Sequence, residues 1–206
     1  MIDGHSPEPS STMRHQRVFL IRHGETEWSL NGRHTGLTDI SLTENGRATA
    51  RRLGPIVARL SLAQVFTSPL SRARQTCELA GLSARAEIDP GLMEWDYGTY
   101  EGLTQQQIRT LAPGWVLFTH GCPGGESPDE IGARVDRDIA RVRSIAGNVA
   151  VFAHGHVLRV FAARWIGLPA TAGRHFLLDP AAVSVLSDYH GVPVVKRWNA
   201  PVSQPK

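Results

Sequence analysis

Two histidines that each follow an apolar run could carry out chemistry in this chain. Arg22, His23 and Gly24 follow residues 18–21, and His154 follows residues 148–153. An imidazole with a free lone pair can act as a nucleophile or transfer a proton. Taken alone, a histidine at a strand end could also be an ordinary surface residue. The prediction of a nucleophile therefore depends on partners elsewhere in the chain.

Two arginines are predicted to converge on these histidines. Arg22 precedes His23 directly, and Arg72 lies one turn into a helix that follows another apolar run. A pair of guanidinium groups indicates an oxyanion, because each offers paired donors to a carboxylate or a phosphate. A neutral imidazole among such cations could attack phosphorus and form a phosphohistidine.

A phosphoryl transfer also needs a proton donor for the leaving alkoxide. Glu94 is the candidate, because it lies in an aromatic segment together with Trp95 and Tyr97. The spacing fits a surface glutamate in a turn equally well. We therefore predict Glu94 as the acid, with this alternative open.

The elements that would position these residues alternate between strand and helix. The predicted strands are residues 18–21, 64–67, 86–88, 148–153, 182–187 and 194–198, and the predicted helices lie between them. Such alternation indicates an α/β fold, a three-layer sandwich with a mostly parallel central sheet and helices on both faces. Since parallel strands end at one sheet edge, the arginines and histidines should meet there.

Three polar segments are predicted to begin helices. Ser41 and Glu44 form a capping box for a helix that runs to about residue 60, and Ser127 and Glu130 form another. Ser68, followed by a proline, is typical of an N-cap. The polar segment 25–40 is predicted to be a long loop, which in a domain of this size is usually functional.

Composition predicts one domain at residues 16–200, with a disordered tail at 1–15 and a C-terminal tail at 201–206. The first tail resembles neither a secretory signal nor a membrane anchor. Cys77 and Cys122 form no disulfide framework and no zinc motif. The sequence therefore predicts a cytoplasmic protein without membrane attachment.

The basic charge does not predict a nucleic-acid partner. The net charge is +3 with a pI near 9.2, but only Lys196 and Lys206 among the 22 basic residues are lysines, and no dense basic run occurs. Arg134, Arg137 and Arg141 recur with helical spacing, and we expect them to form a solvated helix face.

Other phosphate chemistries lack their motifs. No Gly-Lys pair occurs, so there is no P-loop, and neither cysteine has an arginine six residues later. His154 and His156 could be read as a metal pair, but carboxylate ligands to complete such a site are missing. We predict no metal and no cofactor.

These residues together resemble the histidine phosphatase superfamily, in its phosphoglycerate mutase-like branch, from about residue 18 to residue 198. The motifs that carry the resemblance are residues 22–26, 67–73 and 154–156. The resemblance implies that His23 is phosphorylated, that Arg22, Arg72 and His154 form the phosphate pocket, and that no metal is needed. It also implies that Glu94 is the proton donor.

The same resemblance suggests the residues that bind substrate. Thr35 and Gly36 match a loop that closes over the phosphate, and His156 and Glu126 belong to elements that the family places near the pocket. A capping role for the segment at Glu126 is an equal alternative. Ser29 stands where mutases of this family carry a phosphate-binding asparagine, so the pocket differs there.

The segment after Glu94 is similar to the phosphatase pattern and lacks the insertion that mutases use. The chain is most similar to a subgroup that includes sedoheptulose-1,7-bisphosphatase and broad acid phosphatases. The resemblance implies a phosphatase of small phosphomonoesters, such as sugar phosphates or bisphosphates. A mutase and a non-catalytic phospho-ligand binding module are the alternatives. The apolar helix after His156 fits the core or a homodimer interface.

Overall fold

The computed structural model describes residues 16–202, so the predicted N-terminal tail lies outside the described residues. Its sheet contains six strands, β1 (Arg17–Arg22), β2 (Leu62–Thr67), β3 (Ala86–Ile88), β4 (Asn148–Ala153), β5 (Val183–Tyr189) and β6 (Val192–Ala200). Their order is β3-β2-β4-β1-β5-β6. Strands β1 to β4 run parallel to one another. Strand β5 pairs antiparallel with β1, and β6 pairs antiparallel with β5. The predicted mostly parallel sheet is confirmed.

Within residues 16–202, seven α-helices accompany the sheet, together with short 3₁₀ turns. They are α1 (Glu27–Leu30), α2 (Glu44–Val57), α3 (Ser71–Leu79), α4 (Gln105–Leu111), α5 (Leu117–His120), α6 (Pro128–Arg143) and α7 (Gly155–Trp165). Alternate residues of β1 face opposite layers, as the pleat of a strand requires. Phe19 packs in the cluster under α2 and α3, whereas Leu20 packs in the cluster under α6 and α7. Helices therefore cover both faces of the sheet.

The apolar helix α7 lies in the core. Its side chains at Leu158, Phe161 and Trp165 are buried against the sheet and α6. Its hydrophobic surface is thus used within the chain and gives no argument for the predicted homodimer. None of the helices between residues 16 and 202 has the length and apolar character that a bilayer-spanning helix needs.

Two of the three predicted helix starts are wrong. Helix α2 begins after Thr43 rather than Ser41, because Leu42 pairs with Thr26 in a β-bridge that keeps the preceding chain extended. Helix α3 begins at Ser71, and its N-cap position makes no side-chain hydrogen bond. The capping box at the start of α6 is confirmed, with the Ser127 hydroxyl accepting from the amide of the third helical residue.

Candidate active site

The carboxyl ends of β1 and β4 open onto a cavity of about 180 Å³. The two strands pair in parallel with Arg22 opposite Ala153, so His23 and His154 leave the sheet side by side. The cavity is lined by Arg22, His23, Ser29, Gly32, Arg33, His34, Thr35, Glu94, Tyr97, Gly155, His156, Arg159 and Leu178. The predicted convergence of residues at one sheet edge is therefore observed.

The two ring nitrogens of His23 differ in their hydrogen bonding. Its Nδ1 lies 2.7 Å from the carbonyl oxygen of Gly24, and since a carbonyl only accepts, Nδ1 carries the proton. The lone pair is therefore on Nε2. Burial together with the charges of Arg22 and Arg72 holds the pKa of His23 well below its usual value. The imidazole is neutral, as a nucleophile must be.

The backbone after His23 is fixed by two close contacts. The Gly24 amide donates to the Thr76 hydroxyl of α3 at 3.0 Å, and that hydroxyl donates to the Arg72 carbonyl at 2.7 Å. A Cβ at Gly24 would lie only 2.7 Å from the Gly46 carbonyl oxygen. Glycine is thus needed here for the approach of α2, and Thr76 is a positioning residue that the motifs did not reveal.

Of the two predicted arginines, Arg22 is the one that lines the cavity. Its Nη1 donates to the Leu178 carbonyl at 2.5 Å, and its buried Nε has no hydrogen-bond partner among the described residues. The guanidinium packs against the start of α7, where a Cβ at Gly155 would lie 3.3 Å from its carbon. Burial lowers the pKa of Arg22, but an arginine remains charged at neutral pH. An unpaired buried donor of this kind suits an anionic ligand.

Arg72 and His154 lie behind the cavity wall. The Arg72 Nε donates to His154 Nδ1 at 3.0 Å, and His154 Nε2 therefore carries the proton that it donates to the Ser68 hydroxyl at 2.7 Å. The rest of the Arg72 guanidinium donates to carbonyls of the loop between Thr35 and Thr38. Neither side chain is among the residues that line the cavity, although the resemblance implies that both belong to the phosphate pocket.

The His154 ring is nevertheless adjacent to His23, the predicted nucleophile. The centroids of His23 and His154 are 5.2 Å apart. Burial and the neighbouring Arg72 hold the pKa of His154 well below its usual value. The pair thus consists of two neutral imidazoles with a buried cation beside them.

Glu94 reaches the cavity from a different loop and caps the N-terminus of α7. Its Oε1 accepts from the amides of Trp95 at 2.9 Å and Val157 at 2.8 Å, and its Oε2 accepts from the amide of His156 at 3.0 Å. Only 4% of the residue is exposed. The predicted acid is therefore held rigidly at the cavity wall.

Arg134 supports the segment that carries Glu94. Its guanidinium forms an ion pair with Glu126 and donates to the carbonyls of Gly91 and Met93. The prediction of a fully solvated face is therefore wrong for this arginine. The Glu126 carboxylate accepts hydrogen bonds from Arg134 and from the Asp96 amide. Glu126 therefore supports the same segment and is not among the residues that line the cavity.

The remaining predicted binding residues divide into two groups. Ser29, Thr35 and His156 line the cavity, whereas Gly36 does not. The Gly36 amide donates to the carboxylate of Glu101 at 2.9 Å, and this hydrogen bond anchors the loop that contains Gly36. The Ser29 hydroxyl caps α1 by bonding to the backbone of Thr26.

Tyr97 is a cavity residue to which the sequence assigned no role. Its hydroxyl lies 2.5 Å from His156 Nδ1. Burial and the charge of Glu94 hold the pKa of Tyr97 well above its usual value, so the hydroxyl keeps its proton and donates it to this nitrogen. The proton of the His156 imidazole is thereby placed on Nε2. His34 and Arg159 also line the cavity without having been predicted.

The two thiols are poor candidates for the nucleophile. Burial raises the pKa of Cys77 and of Cys122 to about 12, so neither is a thiolate at neutral pH. Within residues 16–202, no group of three or more potential metal ligands occurs. The titratable groups that line the cavity are imidazole, guanidinium, carboxyl and phenol side chains.

Comparison with known proteins identifies the family. A model of the histidine phosphatase superfamily (branch 1) matches residues 18–201. The chain belongs to the histidine phosphatase superfamily. It is 41% identical to an acid phosphatase of Mycobacterium tuberculosis, over 87% of this chain and 90% of the relative.

Two further matches place this histidine phosphatase within the family. A sedoheptulose 1,7-bisphosphatase of Saccharomyces cerevisiae is 38% identical, over 74% of this chain and 68% of the relative. A solved structure of an open reading frame product from Mycobacterium tuberculosis superimposes with a TM-score of 0.87 at 38% identity, covering 91% of this chain and 99% of that chain. The resemblance seen in the motifs and the α/β fold are both confirmed.

Proposed function

We propose that this histidine phosphatase hydrolyses sugar phosphates through a phosphohistidine at His23. The Nε2 lone pair of a neutral His23, beside the Arg22 guanidinium that lines the same cavity, carries this proposal. The sugar specificity is supported by the similarity to a sedoheptulose 1,7-bisphosphatase. No metal or cofactor takes part in the proposed reaction.

In the first step, His23 Nε2 attacks phosphorus, the bond from phosphorus to the sugar oxygen breaks, and Glu94 gives a proton to the leaving alkoxide. Arg22 binds the phosphoryl oxygens, and the buried charge of Arg72 stabilises the transferring group from behind. In the second step, water attacks the phosphohistidine and Glu94 takes the proton back. Phosphate leaves, and His23 regains its lone pair.

The surroundings of Glu94 suit both steps. Three backbone amides hold its carboxyl group at the cavity wall, beside the space where the phosphate ester binds. The same group can therefore reach the leaving oxygen in the first step and the attacking water in the second.

A phosphoenzyme trap tests the mechanism. We expect rapid quenching with ³²P-labelled glucose 6-phosphate to leave acid-labile, base-stable label on the wild-type protein and none on His23→Asn. The matched control is His190→Asn, an exposed turn position with φ of 50° that asparagine tolerates. Turnover by His23→Asn, or activity that a chelator removes and a divalent ion restores, would overturn the proposal.

The same trap separates the nucleophile from the acid. With Glu94→Gln we expect phosphorylation by glucose 6-phosphate to slow by about 100-fold or more, as the loss of a general acid does. Phosphorylation by p-nitrophenyl phosphate should slow far less, because nitrophenolate leaves without a proton. Equal losses on both substrates would contradict the role of Glu94.

The two alternative functions give different results in these assays. Isomerisation of a phosphoglycerate that depends on a bisphosphoglycerate primer, with little release of phosphate, would indicate a mutase. A protein that binds phosphate esters but shows neither label nor turnover would be a non-catalytic binding module. A cytoplasmic location and a homodimer remain predictions of the sequence.

A further inference from the structure

A second cavity of about 260 Å³ adjoins the active site. The two cavities share His34, His156 and Arg159 in their walls. The outer cavity is further lined by Arg109 at the end of α4 and by Arg174 in the 3₁₀ turn Ala170–His175. We call it the arginine annex, defined by Arg109, Arg159 and Arg174.

The annex carries positive charge that no acid in its own wall neutralises. Its lining includes three arginines and neither aspartate nor glutamate. Its remaining wall contains aromatic and aliphatic side chains, among them Trp115 and Phe118. Guanidinium groups offer paired donors to phosphate and keep their charge at any working pH. The annex is therefore suited to bind an anion, with space for a sugar beside it.

Arg159 is the fixed member of this set. Its Nε donates to the Gly173 carbonyl at 3.1 Å, its Nη2 donates to the Arg174 carbonyl at 3.2 Å, and its guanidinium stacks on Phe118 at 4.5 Å. Because these contacts leave Nη1 available, Arg159 can serve an anion in either cavity. Arg109 and Arg174 are exposed and line only the annex.

We propose that the arginine annex binds a second phosphate group of the substrate, so that the enzyme acts preferentially on sugar bisphosphates. The reacting phosphate lies at His23, and the other lies among Arg109, Arg159 and Arg174. This inference rests on the proposed function, because it assigns the substrate class to the same active site.

The test uses arginines that do not touch the reacting phosphate. We compare the double variant Arg109→Gln/Arg174→Gln with Arg51→Gln/Arg59→Gln, which removes the same charge from exposed positions on and beside α2. The substrates are fructose 1,6-bisphosphate, fructose 6-phosphate and p-nitrophenyl phosphate. Wild-type kcat/KM should be highest for the bisphosphate.

We expect the annex variant to lose about tenfold in kcat/KM for the bisphosphate, mainly through KM, which corresponds to two weakened charge-assisted contacts at an exposed site. Its activity on the two monophosphates should match that of the control variant. Equal losses on all three substrates would show that the annex arginines act only through their general positive charge, and would overturn the inference. No preference of the wild type for the bisphosphate would overturn it too.

A further arm separates phosphate from other anions. 6-Phosphogluconate carries a carboxylate in place of the second phosphate, and we expect the annex variant to change its KM by less than that of the bisphosphate. An equal change would mean that the annex accepts any anion. Labelling of His23 by p-nitrophenyl phosphate tests the proposed function separately. If the annex inference is wrong, this label still forms, whereas if the proposed mechanism is wrong, it does not.

Discussion

The ends of β1 and β4 deliver chemically similar histidines that the structure uses in opposite ways. His23 and His154 are both buried, both neutral, and 5.2 Å apart. At the end of β1, one ring nitrogen is held by a carbonyl and the other is free. At the end of β4, Arg72 and Ser68 occupy both nitrogens of the ring.

Hydrogen bonding, rather than pKa, therefore distinguishes His23, the proposed nucleophile, from its neighbour. Burial and nearby arginines deprotonate both imidazoles, so both could in principle attack phosphorus. Of the two rings, only that of His23 has a nitrogen without a hydrogen-bond partner among residues 16–202. His154 instead links α3 to the chain after β2 and holds the Arg72 guanidinium beside His23.

The largest effect should follow from removing this link. In His154→Ala, the buried Arg72 Nε and Ser68 hydroxyl lose their shared partner, and the guanidinium beside His23 is then held only through its Nη atoms by the loop carbonyls. We expect kcat for glucose 6-phosphate to fall by about 100-fold, the range seen when one positioned electrostatic group is lost. Single-turnover assays should still find label on His23.

His23→Asn provides the matched variant for this comparison, since it should form no label at all. If His154→Ala also formed no label while remaining folded, the two histidines would share the chemical step, and the distinction drawn from their hydrogen bonds would be wrong. A native circular dichroism spectrum and unchanged melting cooperativity establish that the variant is folded.

The sequence predicted the positions of these groups better than their contacts. Strand periodicity and parallel connectivity suffice to bring His23 and His154 to one sheet edge, because the ends of parallel strands coincide. The tautomer of His154 depends on Arg72, whose Nε donates to Nδ1, and the proton on Nε2 is donated to Ser68, which sequence rules assign to a helix cap. Helix α3 begins only at Ser71, and the Ser68 hydroxyl accepts both from the Leu70 amide at 3.3 Å and from an imidazole that is distant in sequence.

The misassigned residues share a physical cause. Arg134 has helical spacing typical of a solvated face, yet it is drawn inward by Glu126 and by carbonyls around Gly91. Tyr97 appears in the sequence only as an aromatic neighbour of Glu94, although its hydroxyl fixes the proton of His156. Long-range polar pairs have no periodicity, so local patterns cannot predict them.

An intermediate effect should follow from Ser68→Ala, which removes one of the two partners of His154. We expect kcat to fall by about tenfold, as for other residues that orient a catalytic group through a hydrogen bond. Label should still form on His23, because neither of its nitrogens contacts Ser68. The free energy of unfolding should decrease by about 1–2 kcal/mol for the lost buried hydrogen bond.

Ser71→Ala is the control for this substitution. The buried hydroxyl of Ser71 has no hydrogen-bond partner among the described residues, so its removal should leave kcat and stability nearly unchanged. If Ser71→Ala and Ser68→Ala behaved alike, the hydrogen bond to His154 would have no measurable part in catalysis.

The smallest effect concerns a property that His23 and His154 share. Both have a pKa well below 6.5 in the folded protein, and an unfolded histidine takes up a proton near pH 6.5. Between these values the unfolded state binds more protons, so stability rises with pH and is lost as pH falls below about 6.5. Each histidine contributes a slope of at most about 1.4 kcal/mol per pH unit.

The carboxyl group of Asp138 changes stability with pH in the opposite direction, so its effect must be distinguished from that of the histidines. Burial beside Asp89 raises the pKa of Asp138 to about 7, so its stabilising contribution is present at low pH and is lost as pH rises through about 7. Urea denaturation between pH 5.5 and 6.5 should therefore compare His23→Asn and His154→Ala with the wild type. Each variant should reduce the pH slope by the same amount, whereas His190→Asn should not change it. Unequal reductions would show that the two histidines differ in protonation as well as in hydrogen bonding, since a ring already protonated in the folded protein contributes no slope.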